Sequence, residues 1–360
     1  MNLSKWLTNT FELTHSHQNQ KNIASMEGIR GMAAFLVFIV HFSALFEESV
    51  GINNQVFLYD IHLWLRNIGN TGVDLFFVLS GYLIYGTIIS KKTEFIPYMK
   101  RRINRIYPTF IFMFALYLIL SFLMPDKSKI PLDQGDAILY LVQSFLLLPP
   151  LFANSDPLLA VAWSLSYEMF FYILIPVLVG ILRMRDWKSN YRIGFFISIA
   201  TLGYLYFYFN EGPIRVLMFI SGILLYETVK NKKQINIPYW GSIIFIVSLI
   251  AIVMLMIYKV PHGSWIRQVI IFIAFFILCY ECFIWATPSS TFFSHSSLRW
   301  FGNMSYSYYL MHGLVMKLTI SILGIYVFQA PLENVFFFFI IGISVFFISL
   351  IPSILLFSFI

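Results

Sequence analysis

Charge is scarce in this chain. Only 11% of its 360 residues are Asp, Glu, Lys or Arg, where a water-soluble domain carries about a quarter. With 59% hydrophobic residues, no water-soluble fold hides so much apolar surface, and the solvent must be a bilayer. Cysteine is scarcer still, limited to Cys279 and Cys282 in a CYEC stretch inside an apolar run. A redox or metal pair needs thiolates and access to water, which a lipid-depth helix withholds. Packing is therefore the expectation for both thiols, and no metal is expected. The first 26 residues lack the apolar core of a cleavable signal peptide. They read as a cytoplasmic segment, residues 1–26, ahead of a single transmembrane domain over 27–360. No soluble domain, linker, low-complexity tail or convincing internal repeat is visible.

What is present is a series of apolar runs rich in Phe (39) and Tyr (21), types that suit lipid-facing and interfacial positions. Runs long enough to span fall at 28–46, 72–90, 107–124, 160–182, 192–209, 212–229, 239–258, 267–286, 304–327 and 333–357. Ala137 to Leu148 is apolar but short and ends at Pro149-Pro150, which predicts an interfacial or re-entrant helix. The fold class is an all-α polytopic membrane protein of about ten transmembrane helices plus that short helix. The net charge of +7 lies in short loops between the runs, which marks topology and not nucleic-acid binding. With the N-terminus in the cytoplasm, seventeen Lys and Arg fall inside and six outside, with Lys317 inside a span. Both termini are then cytoplasmic, in a plasma (inner) membrane, multi-pass protein.

Ionisable groups at bilayer depth cost about 2.5–3.5 kcal/mol each on insertion scales and need a reason. EGIRGMAAFLVFIVH, residues 27–41, holds Arg30 and His41. Eleven residues is about three helical turns, roughly 16 Å, so both side chains share a face. His41 reads as a general base or as a helix–helix hydrogen bonder. Arg30 reads as an anion binder or as a snorkelling topology residue. In GNTGVDLFFVLSGYLI, residues 69–84, Asp74 either opens a helix or orients His41 or Arg66, and Ser80 is placed to bond across helices. YMKRRINRIYPTF, residues 98–110, crowds Lys100, Arg101, Arg102 and Arg105 together. Arg102 and Arg105 are three apart on one face, a spacing that grips phosphate and that topology alone does not require. AWSLSYEMFFYILIP, residues 162–176, puts Ser164, Glu168 and Tyr172 on one stripe beside Trp163. Glu168 is expected to face the interior and pair with Arg30 or protonated His41, whether for function or as a structural ion pair. FGNMSYSYYLMHGLV, residues 301–315, sets Ser305, Tyr308, Tyr309 and His312 at helical spacing. His312 reads more readily as packed than as catalytic. Glu227, Glu281 and Lys317 receive no role.

These five stretches, in this order over about 26–315, resemble the acyltransferase-3 family of integral-membrane O-acyltransferases. The resemblance implies a ten-helix fold and makes 27–360 a transmembrane acyltransferase domain. It implies an acyl-CoA co-substrate at the cytoplasmic side, acetyl-CoA by default, and no metal. The implied acceptor is a hydroxyl of a cell-envelope glycan or lipid-linked saccharide, presented from outside among membrane lipids. Arg30 and His41 match the family's essential pair. Arg102 and Arg105, with Arg101 beside them, match its donor phosphate-binding positions, and Glu168 matches its acidic residue. Asp74 or Glu168 would supply the carboxylate that fixes the His41 tautomer. Ser80, Trp163, Ser164, Tyr172, Tyr308 and His312 are the expected cavity lining. Some relatives add a C-terminal extracytoplasmic esterase-like domain. This chain reads as the form without it, which transfers directly or through a separate extracytoplasmic partner. His41 would act as general base or, as the second mechanism, as an acyl-histidine nucleophile. The rival from another class is a proton-coupled secondary transporter of an envelope precursor or small anion. It leaves the Arg-x-x-Arg unexplained and would be supported by inverted repeats.

Overall fold

The structure is a computed structural model that describes residues 11–12, 24–52, 57–148, 156–231, 240–258, 263–327 and 332–359. Pro149 and Pro150, and five of the lysines counted above for orientation, Lys5, Lys21, Lys232, Lys233 and Lys259, lie outside the described residues. Every extended element among the described residues is helical: α1 Ala24–Ser49, α2 Phe57–Gly69, α3 Thr71–Ser90, α4 Phe95–Leu123, α5 Gln134–Phe145, α6 Ala162–Ile181, α7 Ser189–Phe209, α8 Met218–Lys230, α9 Trp240–Ile257, α10 Gly263–Ile284, α11 Pro288–Phe293, α12 Ser296–Asn303, α13 Ser305–Tyr326 and α14 Val335–Phe359. Nine stretches among the described residues are long and apolar enough to cross a membrane, α2 and α3 counting together as one of 34 residues.

The run expected at 212–229 appears as a 3-10 turn, Ile214–Leu217, leading into the 13-residue α8. Pro213 before the turn has no N–H to donate, and the turn stretches the chain to about 2 Å per residue. Turn and helix together rise about 27 Å, close to the hydrocarbon thickness. The short helix expected at 137–148 is α5, capped at its start by the Asp133 carboxylate, which accepts from the Gly135 and Asp136 amides. It docks on α4 through Phe145, which meets the rings of Tyr107 and Phe114 at 5.9 and 5.5 Å. Helix α2 has no counterpart in the sequence reading. Glu47 on α1 ties it down, accepting from His62 and Arg66, both at 3.1 Å.

Helices α3 and α8 pack closely because glycine lets their backbones touch. A methyl on Gly81 would land on the Phe219 carbonyl, and one on Gly222 on the Val78 carbonyl. On that close pair rests a largely buried knot, in which Glu227 of α8 accepts from Arg192 of α7 at 2.6 and 3.0 Å, Tyr85 of α3 at 2.5 Å and Ser189 at 2.6 Å. The outward faces of α7, α9 and α14 carry exposed Leu, Ile and Phe, which suits lipid contact. Cys279 and Cys282 are buried and free, as packing requires.

Candidate active site

Five helices place polar side chains around one cavity. Arg30 comes from α1, Ser80 from α3, Arg105 from α4 and Ser164, Glu168 and Tyr172 from α6; Ser305, Tyr306 and Tyr309 of α13 close it. Glu168 Oε1 accepts from Ser80 Oγ at 2.8 Å and from the Tyr172 hydroxyl at 2.5 Å. Tyr309 spends its proton on the Val161 carbonyl at 2.9 Å, so Ser164 donates across the 2.6 Å contact to the Tyr309 oxygen. Arg30 Nη2 donates to Ser305 Oγ at 3.2 Å. The Arg102 guanidinium lies 5.4 Å from the ring centroids of both Tyr98 and Tyr172, beside the cavity wall. Two arginines thus line the cavity, with a third next to it, against the single carboxylate of Glu168. Surplus positive charge around a partly enclosed cavity favours an anion. The cavity is small, about 80 Å³. Anything the size of a pantetheine arm must displace side chains, and the exposed Arg105 is the freest of them.

The predicted stripe of α1 faces α13 at two levels. Arg30 meets Ser305, and His41 meets His312 with ring centroids 5.2 Å apart. His312 is fully buried, and its Nδ1 lies 2.9 Å from the Tyr308 carbonyl. A carbonyl only accepts, so in the neutral ring Nδ1 carries the hydrogen and Nε2 keeps its lone pair. That Nε2 has no partner among the described residues. Tyr308 stacks on His312 at 5.3 Å, and the Tyr309 ring lies 5.9 Å from it at a tilt. Tyr309 also lines the cavity, so the histidine pair stands one residue behind the cavity wall.

Two expectations about carboxylates need correction. Asp74 does not turn to His41 or Arg66. It is fully buried in a bidentate pair with Arg215, at 2.8 and 3.2 Å, and Arg66 pairs with Glu47 instead. Its place in the first turn of α3 faces the 3-10 turn that carries Arg215, away from α1. Glu168 faces the interior as expected, bonds neutral hydroxyls and not His41, and acts on Arg30 through charge across the cavity without a direct bond. Trp163 faces a different pocket, with the Arg215 guanidinium 5.3 Å over its ring. Arg101 is exposed outside the cavity. The reading missed Tyr306, whose hydroxyl donates to the Ile106 carbonyl at 2.8 Å and so fixes α13 to α4 beside Arg105. Among the described residues no group of His, Cys, Asp and Glu stands ready to hold a metal.

Comparison with known proteins gives this arrangement its context. The acyltransferase-3 family profile, described as an acyltransferase domain, matches residues 23–354. O-acetyltransferase OatA of Staphylococcus aureus is 25% identical over 335 residues, covering 85% of this chain and 52% of that protein. An uncharacterised protein of Haemophilus influenzae is 30% identical over 192 residues, covering 46% of this chain and 78% of its own. The chain thus spans about half the length of OatA. No solved structure matches it. The profile runs from the start of α1 into α14 and takes in both faces of the α1–α13 stripe, and on that match the chain belongs to the acyltransferase-3 family.

Proposed function

We propose that the chain is a membrane O-acyltransferase of the plasma (inner) membrane. It takes an acyl group, acetyl by analogy with OatA, from acyl-CoA and passes it to a hydroxyl of a cell-envelope glycan or lipid-linked precursor. The observation that carries this reading is the cavity in which Arg30 and Arg105 oppose a single, hydroxyl-bonded Glu168. The Arg-bearing start of α4 is assigned to the cytoplasm, with both termini, by the Lys and Arg bias. There Arg105 and Arg102, helped by Arg101, hold the phosphates of the donor, and Arg30 stands deeper along its path. His41 removes the proton from the acceptor hydroxyl. The oxygen attacks the thioester carbonyl, a C–O bond forms and the C–S bond breaks. Coenzyme A leaves as a thiolate and takes the proton from His41. His312 packs against the base with ring centroids 5.2 Å apart, and its unpartnered Nε2 is the acceptor to which a turn of the His41 ring would bring an N–H, leaving the other His41 nitrogen to receive the proton. Glu168, held by Ser80 and Tyr172, balances the arginines and orients them.

Titrating coenzyme A onto the protein in lipid nanodiscs tests the donor site. Wild type binds saturably, and Arg105→Ala weakens binding by about ten- to a hundredfold, the worth of a charge-assisted phosphate contact. Equal binding by the two proteins would remove the donor from this cavity. A second expected result concerns Glu168→Gln, which keeps the shape and the two hydroxyl contacts but drops the charge. It lowers kcat more than it alters coenzyme A affinity, and the reverse pattern would make Glu168 a donor-site residue only.

A further inference from the structure

A second cavity, of about 380 Å³, lies at the end of the bundle opposite the arginine-rich start of α4. Helix α3 fixes this arrangement. Its first turn carries Asp74 next to the cavity, and its last turn, about 21 Å away, receives Arg185 on the Ile88 carbonyl close to where α4 begins. The volume falls within the range of small-molecule sites. Its wall holds an aromatic plate, Trp163, the hydroxyl side chains of Tyr167 and Ser264, and four stronger polar groups: Arg215, Arg267, Gln268 and, exposed at the rim, Asp156.

The polar groups are not equivalent. Arg215 is spent: it holds Asp74 through two bonds, donates to the Asn70 carbonyl at 2.5 Å and to Asn70 Oδ1 at 3.0 Å, and braces the Trp163 ring. Arg267 is only partly spent, since the Asp74 carboxylate acts on it through charge without a bond. Its Nη2 makes a long bond of 3.3 Å to the Asn67 carbonyl, and its Nε has no partner among the described residues. The neighbouring Gln268 is only 3% exposed, yet its Oε1 also lacks a partner. A buried amide oxygen and guanidinium left unmatched each cost free energy that a ligand would recover. An aromatic plate beside a carboxylate and an amide suits the apolar face and hydroxyls of a sugar, and the partly spent guanidinium adds a demand for an acid group.

We propose that this pocket is the acceptor site and that it takes a sugar residue bearing an acid group. The ring lies along Trp163, the hydroxyls meet Asp156 and Gln268, and the acid group meets Arg267. The proposal rests on the acyl-transfer reading above and names the acceptor's chemical class. Its position fits transfer between the two ends. Phe77 lines both cavities and packs edge-on against Trp163 at 6.4 Å. One residue beyond Trp163, Ser164 bonds Tyr309, whose ring meets His312 beside His41.

The test reads sugar binding without any donor. Methyl β-glucuronide and methyl β-glucoside are titrated against the full chain in nanodiscs by saturation-transfer NMR. The glucuronide binds about tenfold or more tightly than the glucoside, the worth of one charge-assisted contact. Arg267→Gln abolishes that preference, Arg267→Lys keeps most of it, and coenzyme A binding is unchanged in both. Equal binding of the two sugars, or a preference that survives Arg267→Gln, overturns the proposal. Presenting the same glucuronide on a polyprenyl phosphate in the nanodisc separates the sources. Tighter binding assigns the site to a lipid-linked saccharide, and equal binding to a free glycan. A protein that binds the acid sugar but never transfers label would refute the acyl-transfer reading and leave the site standing. Transfer to neutral sugars alone would do the opposite.

Discussion

His41→Ala lowers acyl transfer by about 10²–10⁴-fold, the usual contribution of a positioned general base. Coenzyme A binding stays unchanged, because His41 lies at the far level of the α1–α13 stripe from Arg30. The size of the loss follows from the lack of a substitute. Around His41 the nearest titratable side chain is His312, whose Nδ1 is committed to the Tyr308 carbonyl and whose ring is sealed behind Tyr308 and Tyr309. His312→Gln keeps one polar atom near His41 and loses less, with kcat falling and coenzyme A affinity constant. Steady-state transfer and coenzyme A titration on the same nanodisc samples check both. If His41→Ala retained full transfer, the histidine pair would be a helix–helix contact and nothing more.

Glu227→Ala destabilises the protein by about 3–5 kcal/mol, the range for removing one partner of a buried pair. Glu227 is fully buried and Arg192 nearly so, at 8% exposed. Removing the carboxylate strands the Arg192 guanidinium together with the hydroxyls of Tyr85 and Ser189. This knot lies between α3, α7 and α8, so its loss loosens the pair that glycine brings into backbone contact. Thermal unfolding of the purified protein reads the effect as a large drop in Tm. The double change Glu227→Leu with Arg192→Met recovers much of it, because no charge is then left buried alone. A Tm unmoved by Glu227→Ala would mean that water reaches Arg192.

Fold class was legible because apolar run length reports directly on bilayer thickness. The run at 212–229 was legible in extent but not in form, since hydropathy does not register the 3-10 turn at Ile214–Leu217. Helix α2 was missed because its mixed FLYDIHLWLRNIG face carries no long apolar run. Its anchor, Glu47 to His62 and Arg66, joins different helices. At the site, within-helix spacing located Arg30 with His41, Arg102 with Arg105 and Ser164 with Glu168 and Tyr172, because helical period is a local property. Partners between helices were not legible. Arg215 and Arg192 counted only as loop charges for orientation, and they proved to be the partners of Asp74 and Glu227. Which helices are neighbours decides such pairs, and a single sequence does not print that.

The central claim is that the arginine-lined cavity and the histidine pair form one path from donor to acceptor. Purified protein in nanodiscs, given acetyl-CoA labelled in the acetyl group and an envelope-glycan extract, tests it most directly. The account predicts label in glycan with wild type, none with His41→Ala, and a raised acetyl-CoA requirement with Arg105→Ala. No label in glycan from any of them, together with no coenzyme A binding by wild type, would contradict it.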